Sequence, residues 1–185
     1  LPDSIKDAIK ENIKDRGRKY KKGSNEVYSQ FFELTDDGIA QRFNDKYGEL
    51  VKYIKEYKEW VVYDNGVYKL DTTSWVYNRV REIIIDIENE PAHNEEQKNF
   101  LSVFSNRKRT DKTYKSVVNI VKEMNTMSLD DFVNTDNQNI INFTNVMLLL
   151  HNDGSYEVIE HSPEYRLLEQ IPYDFDANAK CPMFK

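Results

Sequence analysis

Apolar residues recur along this chain with a helical period, then a strand period, then a helical period again, and strands return in the last third. Thr35 is placed to cap a helix reaching Tyr47, with Leu34 as the hydrophobic staple before it, Phe43 and Tyr47 on its inner face and Gly48 as its stop. Alternation follows: Val51–Ile54, Glu59–Tyr63 and Val67–Leu70 read as strands, and Asn65-Gly66 is a two-residue hairpin signal. Thr73 then caps a long helix carrying Val76, Val80, Ile83, Ile84 and Ile87, which ends before Pro91. Amphipathic helices fit Glu95–Phe104 and Lys112–Met124, and Ser128 caps a short one through Val133. Strands are expected again at Asn142–Leu150, Tyr156–Glu160 and Tyr165–Ile171, with a turn at Asn152-Asp153-Gly154. The expected fold is α+β, with central amphipathic helices and short antiparallel strands or hairpins at both ends.

Ahead of Leu34, Ile5, Ile9 and Ile13 stand four apart, a narrow apolar stripe on a helix capped by Asp3 or Ser4. Gly17 and a basic, glycine-punctuated run to about Asn25 follow. Residues 1–33 are therefore expected to be a linker or helical extension from an upstream region, and 34–185 the domain itself.

At 185 residues the chain can bury an ordinary core. Its 12 Tyr and 9 Phe argue against disorder, which is poor in such side chains. No apolar run approaches the roughly 20 residues needed to span a bilayer, and no signal-peptide pattern opens the chain. The single cysteine, Cys181, cannot make an internal disulfide, and three scattered histidines make a structural zinc site a poor expectation. A reducing cytoplasm fits these features.

The net charge of -6 speaks against a general nucleic-acid binder, because neutralising phosphates takes a basic surface. That average hides a gradient. Residues 1–25 carry Lys6, Lys10, Lys14, Arg16, Arg18, Lys19, Lys21 and Lys22 against four acids, whereas residues 140–185 are acidic. Any affinity for DNA must be local. The best local candidate is Arg107-Lys108-Arg109 with Lys112 and Lys115, a basic cluster at the start of a predicted helix, beside Ser105, Asn106 and Thr110 as further phosphate-bonding groups. Tyr114 next to it could stack on a base or belong to the core. The plain alternative for the whole cluster is a solvated charged face. Tyr53, Tyr57, Trp60, Tyr63 and Tyr68 could form a stacking platform, although aromatic residues on a small sheet more commonly pack on neighbouring helices; Trp60 and Trp75 are read as core.

Catalytic chemistry is poorly supported. Phosphate-cradling needs Gly-x-x-x-x-Gly-Lys-Ser/Thr, and the chain contains no Gly-Lys pair. Asp174-Phe175-Asp176 would place two carboxylates on one side of a strand, as a metal pair requires, but Asp also shapes turns. Asp36-Asp37 and Asp130-Asp131 fall where first helical turns favour negative charge. Cys181, His93, His151 and His161 show no spacing that defines a nucleophilic site.

Three stretches carry a family resemblance. His161-Ser162-Pro163-Glu164-Tyr165, followed by Pro172-Tyr173-Asp174-Phe175-Asp176 and Ala179-Lys180-Cys181-Pro182-Met183-Phe184, resembles the run that closes a helical domain in phage, plasmid and poxvirus primase-helicases, just before a superfamily 3 helicase motor. Leu34-Thr35-Asp36-Asp37-Gly38-Ile39-Ala40-Gln41-Arg42-Phe43 with Tyr47-Gly48 resembles the opening of the same domain, and Trp60 to Tyr68 its hairpin. Asn142-Phe143-Thr144-Asn145-Val146-Met147-Leu148-Leu149-Leu150 is similar to a further family stretch, with Val146 where the family has glycine and Leu149 where it has aspartate. The resemblance implies a non-catalytic accessory, or collar, domain in DNA replication. In the parent protein it would help motors assemble as a ring, by the resemblance a hexamer, and route DNA to the channel. ATP and magnesium would belong to the motor, with no cofactor in these residues, no membrane, and a bacterial cell or host as the setting. A carboxylate- and metal-dependent primase or nuclease domain, and a protein–protein adaptor without a DNA role, remain as alternatives.

Overall fold

In the computed structural model, which describes residues 32–133 and 139–179, the first helix is built around a buried arginine. Helix α1 (Asp36–Tyr47) starts where Thr35 Oγ1 accepts the Gly38 N–H at 3.0 Å. Gly38 is required by close approach: a Cβ there would lie 1.9 Å from the Glu33 carbonyl oxygen, because the incoming chain lies against the first turn. Arg42, 5 % exposed, holds that entry in place. Its Nε and Nη2 donate to the two carboxylate oxygens of Glu90 at 2.5 and 3.0 Å. Nη1 donates to the carbonyls of Glu33 and Gly38 at 2.8 and 3.0 Å, and Nη2 also reaches Phe32 at 3.2 Å.

The described chain divides into two compact units. One takes in the residues up to Gly48 together with Ser74–Met124; the other comprises Glu49–Thr73 and the residues from Asn125 onward. The first is helical. It contains α1, α2 (Trp75–Asp86) with a 3₁₀ turn at Ile87–Asn89, α3 (Glu95–Lys108) and α4 (Asp111–Asn125, whose last residue falls in the second unit). Ile39, Ala40, Phe43, Val76, Val80, Ile83, Ile84, Ile87, Leu101, Val117 and Val121 are its buried apolar set, spaced three and four apart on α1, α2 and α4, while α3 contributes Leu101 alone. Asn94 caps α3 by accepting the Gln97 N–H at 2.8 Å. Helix α2 begins at Trp75, with Ser74 rather than the expected Thr73 at the position before it. Ser74 occupies the cap position in the left-handed region without a side-chain bond, while Thr73 turns back to Asp71 Oδ1 through its N–H at 3.1 Å.

The second unit is strand-rich. Strands β1 (Val51–Ile54), β2 (Glu59–Asp64) and β3 (Val67–Leu70) form an antiparallel meander, and β4 (Thr126–Met127) adds to β1 to give the order β3-β2-β1-β4. The pairing of β4 with β1 is parallel, Tyr53 facing Thr126, so the sheet is mixed rather than purely antiparallel as expected. A five-residue helix, α5 (Leu129–Val133), sets Phe132 into a core with Ile54, Val61 and Tyr68. Ser128 caps it, accepting the Asp131 N–H at 3.0 Å. Strands β5 (Ile140–Asn142), β6 (Met147–Leu150) and β7 (Tyr156–Ile159) form an antiparallel second sheet.

Two expected strands are corrected. Asn142–Leu150 is not one strand but a hairpin: the Phe143 N–H donates to the Val146 carbonyl at 2.9 Å and reverses the chain. Val146 is not among the residues with positive φ, so this turn needs no glycine there. Tyr165–Ile171 is not a strand either. A 3₁₀ turn at Pro163–Tyr165 and a left-handed Arg166 break the ladder, and the segment instead straps both sheets, the Tyr68 N–H donating to Leu167 and the Ile171 N–H to Asn142, each at 2.8 Å.

Trp60 and Trp75 are half-buried rather than core residues, each edge-on to a tyrosine, Tyr53 and Tyr47. The tyrosine group does not form one platform. Alternation sends Tyr63 and Tyr68 to the face that covers Phe132, and Tyr53 with Trp60 to the other.

Replacing Arg42 by Ala leaves the Glu90 carboxylate and three carbonyls without their donor, and breaking a buried pair from one side costs about 3–5 kcal/mol. Urea unfolding of the whole chain should show a loss of that size, and Arg42→Lys should recover little of it because an ammonium cannot form the planar fork. An Arg42→Ala variant as stable as the parent would contradict this.

Candidate nucleic-acid interface

The opening stretch, Leu34–Gly48, belongs to the helical unit, and the other recognisable stretches, around Trp60–Tyr68, Asn142–Leu150 and from His161 onward, meet in the strand-rich unit. Asn142, 6 % exposed, donates from Nδ2 to the Gly66 carbonyl at 3.0 Å and to the Glu169 carbonyl at 2.9 Å. Its Oδ1 lies 3.0 Å from His161 Nε2, which is also 2.9 Å from the Phe143 carbonyl. A carbonyl only accepts, so Nε2 carries the proton and is committed to two acceptors. His161 is thus a structural residue, and its Nε2 is no base. Gln170 Nε2 donates to the Asn65 carbonyl at 2.7 Å. Gly66, at φ +90°, is the position where a glycine is needed twice over, since a Cβ there would stand 2.3 Å from the His161 ring. Tyr68 Oη donates to the Glu49 carbonyl at 2.7 Å, and burial pushes its phenol well above the usual tyrosine range.

The carboxylates considered for metal work are engaged elsewhere. Asp174 accepts from the Thr144 hydroxyl, and Asp176 Oδ1 accepts the Asn178 N–H at 2.8 Å, so both shape turns. Phe175 between them packs edge-on against Tyr156 and at a tilt on Phe143. Asp36 faces a lysine, and Asp131 bonds the Ser128 hydroxyl. Among the described residues no group of three or more His, Cys, Asp or Glu is placed to hold a metal ion. His93 and His151 are exposed and lie in loops. Cys181, the isoleucine stripe of residues 5–13 and the basic run before Asn25 lie outside the described residues.

Of the basic cluster, Lys112 and Lys115 stand at the start of a helix, α4, whereas the triplet Arg107-Lys108-Arg109 stands at a helix end. Arg107 and Lys108 form the last turn of α3, and Arg109 is its C-terminal cap, where cations complement the negative end of the helix dipole. Lys108 Nζ meets Asp36 in the first turn of α1 at 2.6 Å, and Arg109 Nη2 meets Glu88 at 2.6 Å and Ser105 Oγ at 3.0 Å. Ser105, fully buried, passes its own proton to the Ile84 carbonyl at 2.7 Å. These two cations fasten α3 to its neighbours, and their partners, far away in sequence, are why the sequence could not show it. Lys115 pairs with Asp111 at 2.7 Å. Arg107 and Lys112 remain exposed and form no ion pair with any described residue.

Tyr114, read from the sequence as a stacking or core residue, is joined by two residues of α2 that the sequence did not single out. Tyr77 of α2 packs edge-on against Tyr114 of α4, ring centroids 5.7 Å apart, and the Arg81 guanidinium lies over Tyr114 at 5.7 Å. Tyr77 Oη donates to Asp111 Oδ1 at 2.7 Å. The Lys115 ammonium, and then the Tyr77 hydroxyl, hold the Asp111 carboxyl below the usual carboxylate range. Arg81 is exposed and, like Arg107 and Lys112, forms no ion pair with a described residue. Tyr77 and Arg81 share a helix face at i, i+4, a spacing visible in the sequence, but only the packing of α2 on α4 brings them to Tyr114.

Taken together, the described residues are an α+β domain whose recognisable stretches serve to hold its own fold, with an aromatic and cationic surface on the helical unit. The D5 N terminal like family model matches residues 40–185, and the chain belongs to that family, the N-terminal domain of phage and viral primase-helicase proteins. Comparison with curated proteins gives no significant match. No helix among the described residues is long and apolar enough to cross a membrane.

Two outcomes follow from this geometry. Gly66→Ala should cost about 2 kcal/mol or more, from a strained φ and the collision with His161; in a double-mutant cycle with His161→Ala the two costs should be clearly less than additive, and simple additivity would refute the contact. Because the Asp111 pKa is depressed, its contribution is complete above the ordinary carboxylate pKa and disappears as pH falls through the lowered one. In an NMR titration, Lys115→Ala should move the Asp111 midpoint upward; an unmoved midpoint would deny the pair.

Proposed function

We propose that this chain is a non-catalytic accessory domain of a phage or mobile-element primase-helicase, acting in DNA replication beside a superfamily 3 helicase motor. Its work is to help motor subunits assemble as a ring, a hexamer by resemblance, and to guide DNA toward that motor, where ATP and magnesium are used. The bacterial cytoplasm is the setting this reading implies.

One observation carries it: the family-like residues that fall within the described chain, Thr35, Gly38, Arg42, Gly66, Asn142 and His161, are each occupied by contacts that hold the fold. None is presented to a substrate. In this reading it is the surface of the domain, not a buried site, that does the work. DNA contact is assigned to Arg107 and Lys112, with Lys108, Arg109 and Lys115 as cations already shared with carboxylates. The Lys115–Asp111 pair is open to solvent and worth about 0–1 kcal/mol, so a phosphate can compete for it, whereas the part-buried pairs of Lys108 and Arg109 also hold α3 to its neighbours. The same neutralisation, on a chain of net charge -6, favours a second reading, an adaptor that binds protein and not DNA.

Fluorescence anisotropy with single-stranded, duplex and forked DNA across a salt series separates the two. Two to three phosphate contacts should give a slope of log affinity against log salt of about -2 to -3 on duplex. The double variant Arg107→Glu, Lys112→Glu should flatten that slope by about two. Binding by the parent that is unchanged in the variant would remove these two residues from the interface, and no binding to any DNA would leave the adaptor.

A further inference from the structure

The Tyr77–Tyr114–Arg81 cluster is assigned no task by the fold-holding contacts described above, and its composition is specific. We propose that it is a base-stacking site for single-stranded DNA, with Arg81 and Lys112 on the flanking phosphates. The proposal rests on the DNA-contact reading and names the form of DNA this surface takes.

Three features point to single strands. A stacking site needs an aromatic or guanidinium plane that is held still before the base arrives. Here Tyr77 is fixed at both ends, by its ring on Tyr114 and by its hydroxyl on Asp111, and the Asp111 carboxylate is in turn fixed by Lys115 at 2.7 Å. Tyr114 lies one helical turn before Val117, which is fully buried, so its ring is anchored at the edge of the buried face and stays half-exposed. Arg81, above that ring, offers a second plane, since guanidinium groups stack on bases as aromatic rings do. Bases in duplex DNA are already stacked on one another, and only an unpaired base can reach such a plane.

Charge supports the same assignment. Lys112 lies in the first turn of α4, at the positive end of the helix dipole, and forms no ion pair with a described residue. A cation there works against folding. Asp111 compensates Lys115 within the same turn, which leaves Arg81, over the Tyr114 ring, and Lys112, on the first turn of the same helix, as cations without an ion pair to a described residue. A phosphate satisfies either.

The test uses the whole 185-residue chain and oligodeoxynucleotides of three kinds: a single strand, the same strand in a duplex, and a single strand with abasic positions. Single strand should bind more tightly than duplex, and removing bases should weaken it about ten-fold or more, the scale of one base stacked on an aromatic ring. Tyr114→Leu and Arg81→Gln should each cost a similar factor, whereas Tyr114→Phe, which keeps the ring, should bind as the parent does; thermal melting verifies that each variant is folded. If Tyr114→Leu disturbs the fold, Arg81→Gln, on an exposed side chain, carries the test. Equal binding of intact and abasic strands, or parent-like binding by folded Tyr114→Leu or by Arg81→Gln, overturns the stacking site while leaving phosphate contact by Arg107 and Lys112 standing. Failure of the parent chain to bind any DNA overturns both.

Discussion

A buried carboxamide cannot be left without partners, and in the strand-rich unit everything is arranged around that of Asn142. Its NH₂ group joins the β2–β3 turn to the strap that follows Pro163, and its oxygen receives His161, which in turn covers Gly66. Leaving one such buried group unsatisfied costs about 1–3 kcal/mol, a large part of a small domain's stability. Arg42 plays the corresponding part in the helical unit, where one guanidinium meets a carboxylate and three backbone carbonyls. The open pairs, Lys46 with Asp86 and Lys69 with Asp64, are worth at most about 1 kcal/mol each, so the two buried hubs, not the surface charges, decide the fold.

This division of labour explains why the stretches that identify the family say little about chemistry. His161, Asp174 and Asp176 are residue types from which active sites are made, yet here the first donates to two oxygens and the others tie turns through Thr144 and the Asn178 amide. Residues that determine an architecture are fixed by neighbours on every side. Residues that meet a ligand must keep an open side, and on the helical unit Arg81, Arg107, Lys112 and the tyrosine pair keep one.

Local rules carried much of the fold. Thr35 and Ser128 act as caps; α1, α2 and α4 follow their apolar spacing, and Asn65-Gly66 makes its hairpin with φ of 49° and 90°. Relations between distant residues were not legible. Nothing local marks Thr126-Met127 as a strand, because two residues carry no period and their partner, β1, is far back in the chain. Asn142–Leu150 reads as one strand until Thr144 and Asn145 are seen to bond Tyr173 and Phe175. The basic triplet misled for the same reason: Asp36 is 72 residues from Lys108, and Glu88 is 21 from Arg109. The candidate surface was half visible, through Tyr114 and Lys112, and its other half sits on a separate helix.

The account stands or falls on whether the α2–α4 surface passes DNA to a motor without taking part in the motor's chemistry. The most direct measurement is strand displacement by the intact primase-helicase carrying Arg81→Gln with Lys112→Gln, read beside its ATPase rate without DNA. The account predicts slower unwinding and weaker stimulation of ATPase by single strands, with the DNA-free ATPase rate unchanged. Parent-like unwinding, or loss of the DNA-free ATPase itself, would contradict it.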